Sequence, residues 1–225
     1  MMNRVTVLLS GFAMFLGIVS IPASADTIFT LNTSACSSGC SVLPAGTVEL
    51  QQNGTNTVLV TVSLASDYSF RASPDSNHHS FVFDLNSGVT GVSASNITSG
   101  PASQTFSFGS GTFKDAGLGN FQYGLECTTC SKGVPQNPTQ TLSFDLFGNG
   151  LTEASFISNG SYFFGVDVVG IDSAAGSGLT GNIGATGPGD PVTPAVPEPS
   201  SLLLLGTGLT AMGGIVRRKI AAIRS

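Results

Sequence analysis

Between Thr57 and Leu64 the chain sets Val58, Val60, Val62 and Leu64 on one side and Thr57, Thr61 and Ser63 on the other, with Leu59 the single apolar residue among the polar set. A repeat of two is the signature of an extended strand with one buried face. The pattern returns along the chain. Phe81, Phe83 and Leu85 alternate with Ser80, Val82 and Asp84. Phe106 and Phe108 alternate with Thr105 and Ser107, and Leu142, Phe144 and Leu146 with Thr141, Ser143 and Asp145. Tyr162, Phe164, Val166 and Val168 alternate with Ser161, Gly165 and Asp167. Thr27 to Leu31, Thr47 to Gln51, Val89 to Ile97 and Phe121 to Glu126 are further candidates, and Asn53-Gly54 is a strong hairpin signal. The body carries no 3.6-residue stripe with a capped start. The expectation is an all-β domain of eight to ten short strands, an antiparallel β-sandwich or jelly roll. Thirteen of the fifteen phenylalanines fall in this body and there is no tryptophan, so the core should be rich in Phe.

Between the strands the sequence reads as turns. Ala35 to Gly46 is a loop of Cys, Ser and Gly, and Asp67 to Ser80 is polar and irregular. From 174 to 195 the composition shifts to Gly, Ser, Thr and Pro, which reads as a spacer. The β-domain is therefore placed at 26–173 and the linker at 174–195.

Both ends are of another kind. Residues 1–25 have Arg4, an uncharged run from Val5 to Ile21 and Ala23-Ser24-Ala25, which is the layout of a secretory signal peptide with its mature start at Asp26. Residues 196–225 hold three parts in order. Pro197-Glu198-Pro199 resists helix and favours extended geometry. Next comes an uncharged run to Val216 that contains Leu202, Leu203, Leu204 and Leu205. As a helix, Ser200 to Val216 would rise roughly 25 Å, close to the ~30 Å hydrocarbon core of a bilayer. Arg217, Arg218 and Lys219 follow as a basic stop that stays on the cytoplasmic side.

Stripped of both ends, the body to Pro188 has three bases, Arg71, Lys114 and Lys132, against eleven acids. Such an acidic surface without a basic patch argues against nucleic acid and anionic lipid as partners. All four cysteines, Cys36, Cys40, Cys127 and Cys130, lie in this body. An even count in an oxidising compartment favours disulfides, with three connectivities open. A zinc site is disfavoured by the long gap between the pairs, and redox activity by the turn-like context of the second pair.

The tripartite tail resembles the PEP-CTERM sorting signal of Gram-negative envelope proteins. The resemblance rests on Pro197, Glu198 and Pro199, the glycine-interrupted apolar run and Arg217 to Lys219. It implies recognition by a membrane-embedded exosortase, a cysteine transpeptidase-like enzyme, with transient anchoring and cleavage near the Pro-Glu-Pro. An ordinary retained anchor would share that topology. The resemblance also implies a cell-surface or matrix location and a link to exopolysaccharide and biofilm.

Candidates for chemistry are sparse. His78-His79 is the only histidine pair, and neighbours on an extended chain point to opposite faces, so a solvated loop is expected. Gly176 to Gly181 matches G-x-G-x-x-G but no helix pattern follows, so it reads as linker and not as a dinucleotide site. Asp84, Asp145 and Asp167 sit at polar strand positions and read as surface. No cofactor or metal is expected. The reading is an exported, non-catalytic β-domain delivered by an exosortase. A small secreted glycan- or ester-hydrolase on a jelly roll is the alternative, since eleven acids allow a carboxylate pair.

Overall fold

The computed structural model describes residues 26–36, 40–73 and 78–188. The signal peptide, the sorting motif at Pro197 to Pro199, Leu202 to Leu205 and Arg217 to Lys219 lie outside the described residues. Among the described residues thirteen strands follow one another: β1 (Thr27–Thr30), β2 (Thr33–Ser34), β3 (Gly46–Gln52), β4 (Thr57–Leu64), β5 (Tyr68–Phe70), β6 (Phe81–Leu85), β7 (Thr90–Pro101), β8 (Phe106–Asp115), β9 (Gly119–Cys127), β10 (Thr139–Asn149), β11 (Phe156–Ile157), β12 (Phe164–Gly170) and β13 (Thr180–Ala185). A single turn of 3₁₀ helix, Glu153–Ser155, precedes β11. Among the described residues no helix is long and apolar enough to cross a membrane.

Every pairing is antiparallel. One sheet runs β1-β3-β4-β10-β7. The other runs β2-β13-β12-β6-β9-β8, with β5 added to β12 and β11 to β6. The Asn53-Gly54 turn joins β3 to β4, closed by the Asn53 N–H on the Thr57 carbonyl at 2.9 Å, with Gly54 at a φ of 91°.

The period of two decides what lies between the sheets. Val58, Val60, Val62 and Leu64 of β4 and Leu142, Phe144 and Leu146 of β10 face inward from one side. Phe81 and Phe83 of β6 and Phe164, Val166 and Val168 of β12 face them from the other. The phenylalanines meet across the gap. Phe144 lies 6.1 Å from Phe81 and 6.5 Å from Phe83, while within the larger sheet Phe81 stacks on Phe164 at 5.7 Å and 11°. The result is a sandwich of two antiparallel sheets around a Phe-rich core. Burying one such ring is worth about 1.5–3 kcal/mol.

Two boundaries differ from the sequence reading. Thr180–Ala185, inside the expected linker at 174–195, is β13, seated between β2 and β12 with Ile183 and Ala185 buried. Its glycines mark close approach and not looseness. A β-carbon on Gly181 would stand 2.6 Å from Cys36 Sγ, and one on Gly184 2.7 Å from the Tyr162 ring. The domain therefore extends past 173, and 189–195 of that linker lie outside the described residues. The second correction falls in Asp67 to Ser80, read as irregular. There Tyr68–Phe70 forms β5 on β12, buried throughout, with the Tyr68 hydroxyl donating to the Val42 carbonyl at 3.0 Å.

Candidate functional site

The four cysteines form two local bridges, Cys36–Cys40 and Cys127–Cys130. No thiol is left to bind zinc or exchange electrons in this state. Of the three connectivities open from sequence, the structure adopts the one that pins loops instead of joining distant strands. The bridges place Cys36 beside β13 and Cys127 at the end of β9, and both pack against the main core, away from the outer side of the larger sheet.

On that outer side the structure holds an acidic site. Alternation points Gly165 and Asp167 of β12, Val82 and Asp84 of β6, and Asn182 and Gly184 of β13 away from the core. Asp84 and Asp167, two of these positions, were expected to meet water. They are covered by the tip of the β8–β9 hairpin. The Asn182 side-chain amide donates to the Ala116 carbonyl at 3.0 Å, and Asn159 donates to the Leu118 carbonyl at 2.9 Å. Val82, Phe113, Leu118 and Phe121 make a second small apolar cluster there, with Ala35 and Tyr162 against it. Asp84 is buried under this cover, where its Oδ1 accepts the Gln122 N–H at 2.6 Å. Burial pushes its pKa up, and that hydrogen bond works against the rise. The reading of Asp84 and Asp167 as surface is thus overturned, while Asp145, on the smaller sheet, lies at a half-exposed position.

Asp167 faces the Arg71 guanidinium, and Asp115 and Glu126 act on Asp167 through their charge. Asp167 is 5% exposed and Asp115, at the end of β8, is 2% exposed. Arg71 Nη1 stands 3.5 Å from Asp167 Oδ1, close enough for an ion pair and too far for a good hydrogen bond. Ser73 Oγ donates to the other oxygen of Asp167 at 3.3 Å. Glu126 of β9 is better held: it accepts the Ser73 N–H at 2.8 Å and the Ser80 N–H at 3.1 Å. Asp115 Oδ2 is directly above Gly165, where a β-carbon would come within 2.3 Å of it. That oxygen, Asp167 Oδ1 and Arg71 Nε are buried without a hydrogen-bond partner.

Burial raises the pKa of Asp167 to about 7, against the opposing pull of Arg71 and Ser73. Asp115 is raised well above the usual carboxylate range, by burial first and by the charge of Asp167 second. A cavity of about 200 Å³ opens at this point, lined among others by Arg71, His78, Asp167, Thr180 and Asn182, with Ala116 from the hairpin tip.

The histidine pair divides as the alternation requires. His78 lines the cavity. His79 packs its ring on Phe113 at 3.8 Å over Gly109 and Gly124, and burial lowers its pKa. Both are half-buried, so the solvated-loop reading does not hold. Gly176 and Gly178 form the tight turn that feeds β13, both at a φ near 80°, and no helix follows them. Sequence reasoning missed Arg71, Asp115 and Asn182. One signal was available: Val169 shares the outward parity of Asp167, and an apolar residue there shows that this face of β12 is covered too.

The body is thus an antiparallel sandwich with a polar cavity on one flank, where Arg71, His78 and Asp167 come together. Its class by handling is set at the C-terminus. The family model of the PEP-CTERM protein-sorting motif matches residues 195–219. The chain carries a PEP-CTERM sorting domain, the signal that exosortases recognise, and this supports an exported protein sorted to the cell envelope. No curated protein and no solved structure matches the chain.

Proposed function

We propose that this chain is a non-catalytic, surface-displayed β-domain that an exosortase anchors only in passing and that contributes to an exopolysaccharide matrix. The match over 195–219 carries the reading, because that signal determines how the cargo is delivered. The body supports it in two ways. Short-range disulfides and an acidic, base-poor composition suit an extracellular module. The chain stays polar through Ser, Thr and Asn more than through charge, which suits a hydrated polymer as neighbour.

Mass spectrometry of protein released from the cell surface tests the handling. The expected product begins at Asp26 and contains no peptide beyond about Pro199. An intact segment from Leu202 to Ser225 in the mature form would make a retained anchor the better account. Retention of the mature protein on the producer's own polysaccharide tests the role. Turnover of a glycan or ester, lost on changing one Asp or Glu, would replace this reading with a hydrolase.

A further inference from the structure

We infer that the open outer face of the five-stranded sheet is a docking face for a neutral polysaccharide chain, with Phe147 as the platform for a sugar ring and exposed hydroxyls of β7 and β10 as its hydrogen-bonding border. The inference rests on the matrix role proposed above and names the surface that makes the contact.

Alternation builds the face. In β10, Leu142, Phe144 and Leu146 are buried inside the sandwich, so Thr141, Ser143, Asp145 and Phe147 point out. Residues paired across an antiparallel ladder share a side. Register therefore sets Thr98 beside Ser143, Ser95 beside Asp145 and Ser93 beside Phe147. On the other flank β4 sets Leu59 beside Asp145 and Thr57 beside Phe147. Ser93, Ser95, Thr98 and Thr141 are exposed. Phe147 is 41% exposed, the most open aromatic ring among the described residues, and it takes no part in the core.

Charge and shape say what fits such a face. Its five strands carry no lysine, arginine or histidine, and Glu49 and Asp145 are their only acids. Both oxygens of Asp145 are already held by the amides of Asn53 and Asn96. Nothing there draws an anion, and a polycation has little to hold. A serine or threonine hydroxyl both donates and accepts, which matches a polymer whose own polar groups are hydroxyls. The face of an aromatic ring is slightly negative and takes the C–H side of a sugar ring. Five strands side by side span roughly 19 Å, which gives a chain several residues long room to lie flat. A second copy of this chain fits less well, because a stable protein interface needs an apolar centre and this one has a single ring among hydroxyls. The larger sheet offers no such surface here, since the hairpin tip roofs its outer side.

The test runs the full-length chain, in a detergent without a sugar headgroup, through native gels cast with dextran, an unbranched β-glucan, galactomannan, alginate or the producer's own polysaccharide. The expected result is retardation by at least one neutral polymer and none by alginate. Phe147→Ala should weaken that binding about tenfold. Ser93→Glu, at an exposed position beside the ring, should weaken it by a similar factor. Ile157→Ala, an exposed apolar residue off this sheet, should leave it unchanged. Melting temperatures show that each variant is folded, and if one is not, the other decides. A folded wild-type chain that no polymer retards overturns the inference. So does binding that survives Phe147→Ala and Ser93→Glu, or retardation by alginate as strong as by the neutral polymers. A dimer in light scattering that Phe147→Ala separates would assign the face to a second copy instead. The two readings fail separately. If a neutral polymer binds through Phe147 and the producer's polysaccharide does not bind, the face stands and the matrix role falls. If the producer's polysaccharide binds wild type and Phe147→Ala equally, the matrix role stands and the face falls.

Discussion

Asp145 and Asp167 occupy equivalent positions in sequence, each an acid at the polar phase of an alternating strand, yet they live in opposite surroundings. Asp145 is on the open face of the five-stranded sheet. Its two oxygens accept from Asn53 at 2.9 Å and Asn96 at 2.7 Å, beside a Thr61–Ser143 hydroxyl pair. Asp167 is on the corresponding face of the larger sheet, roofed by a hairpin tip, with one oxygen held only by the 3.5 Å ion pair to Arg71. Alternation tells which way a side chain points. It does not tell whether water waits there, because the roof comes from residues far away in sequence.

Three experiments would break or sharpen this contrast. The largest effect should come from pH. Asp167 has its pKa raised to about 7 in the folded chain, against about 3.9 when unfolded. A raised value means the stabilisation is complete below the unfolded value and is lost as pH climbs through about 7. The full difference is on the order of 4 kcal/mol, with Asp115 adding in the same direction. Arg71 opposes the loss, and Glu126 and Asp115 reinforce it. Urea titrations between pH 4 and 9 should show declining stability, and Asp167→Asn should flatten the slope. An equal slope in that variant would show that the roofed acid is not the source.

A smaller effect is expected from Gly165→Ala. The new methyl would meet Asp115 Oδ2 at 2.3 Å and Val82 at 2.9 Å. Overpacking of this kind costs about 1–3 kcal/mol and should appear as a lower urea midpoint with earlier hydrogen exchange in the hairpin tip. Smallest is Asp145→Asn on the open face, expected within about 0.5 kcal/mol. A larger cost there would mean that the two faces differ less than their burial suggests.

Much of the framework was legible because it is local. The bounds Thr57 and Leu64, the Asn53-Gly54 turn and the inward set of β6, β10 and β12 follow from alternation and turn chemistry alone. What was hidden depends on contacts across the chain. β13 has only Ile183 and Ala185 to show as core, and its glycines look like linker until Cys36, Leu118 and Tyr162 are seen pressed against them. β5 is three residues long and owes its burial to β12. The acidic site was scattered over Arg71, Asp115, Asp167 and Asn182, with no spacing to announce it. The sorting signal was the opposite case, contiguous and readable without any fold.

The position of β13 also sets an order of events. Because Thr180–Ala185 is an interior member of the larger sheet, the sandwich cannot close until nearly all of the exported chain has left the translocation channel. Only eight residues separate Pro188, which bridges to Phe29, from Pro197. A chain cut short before β13 therefore loses an interior strand of the sandwich and not a spacer.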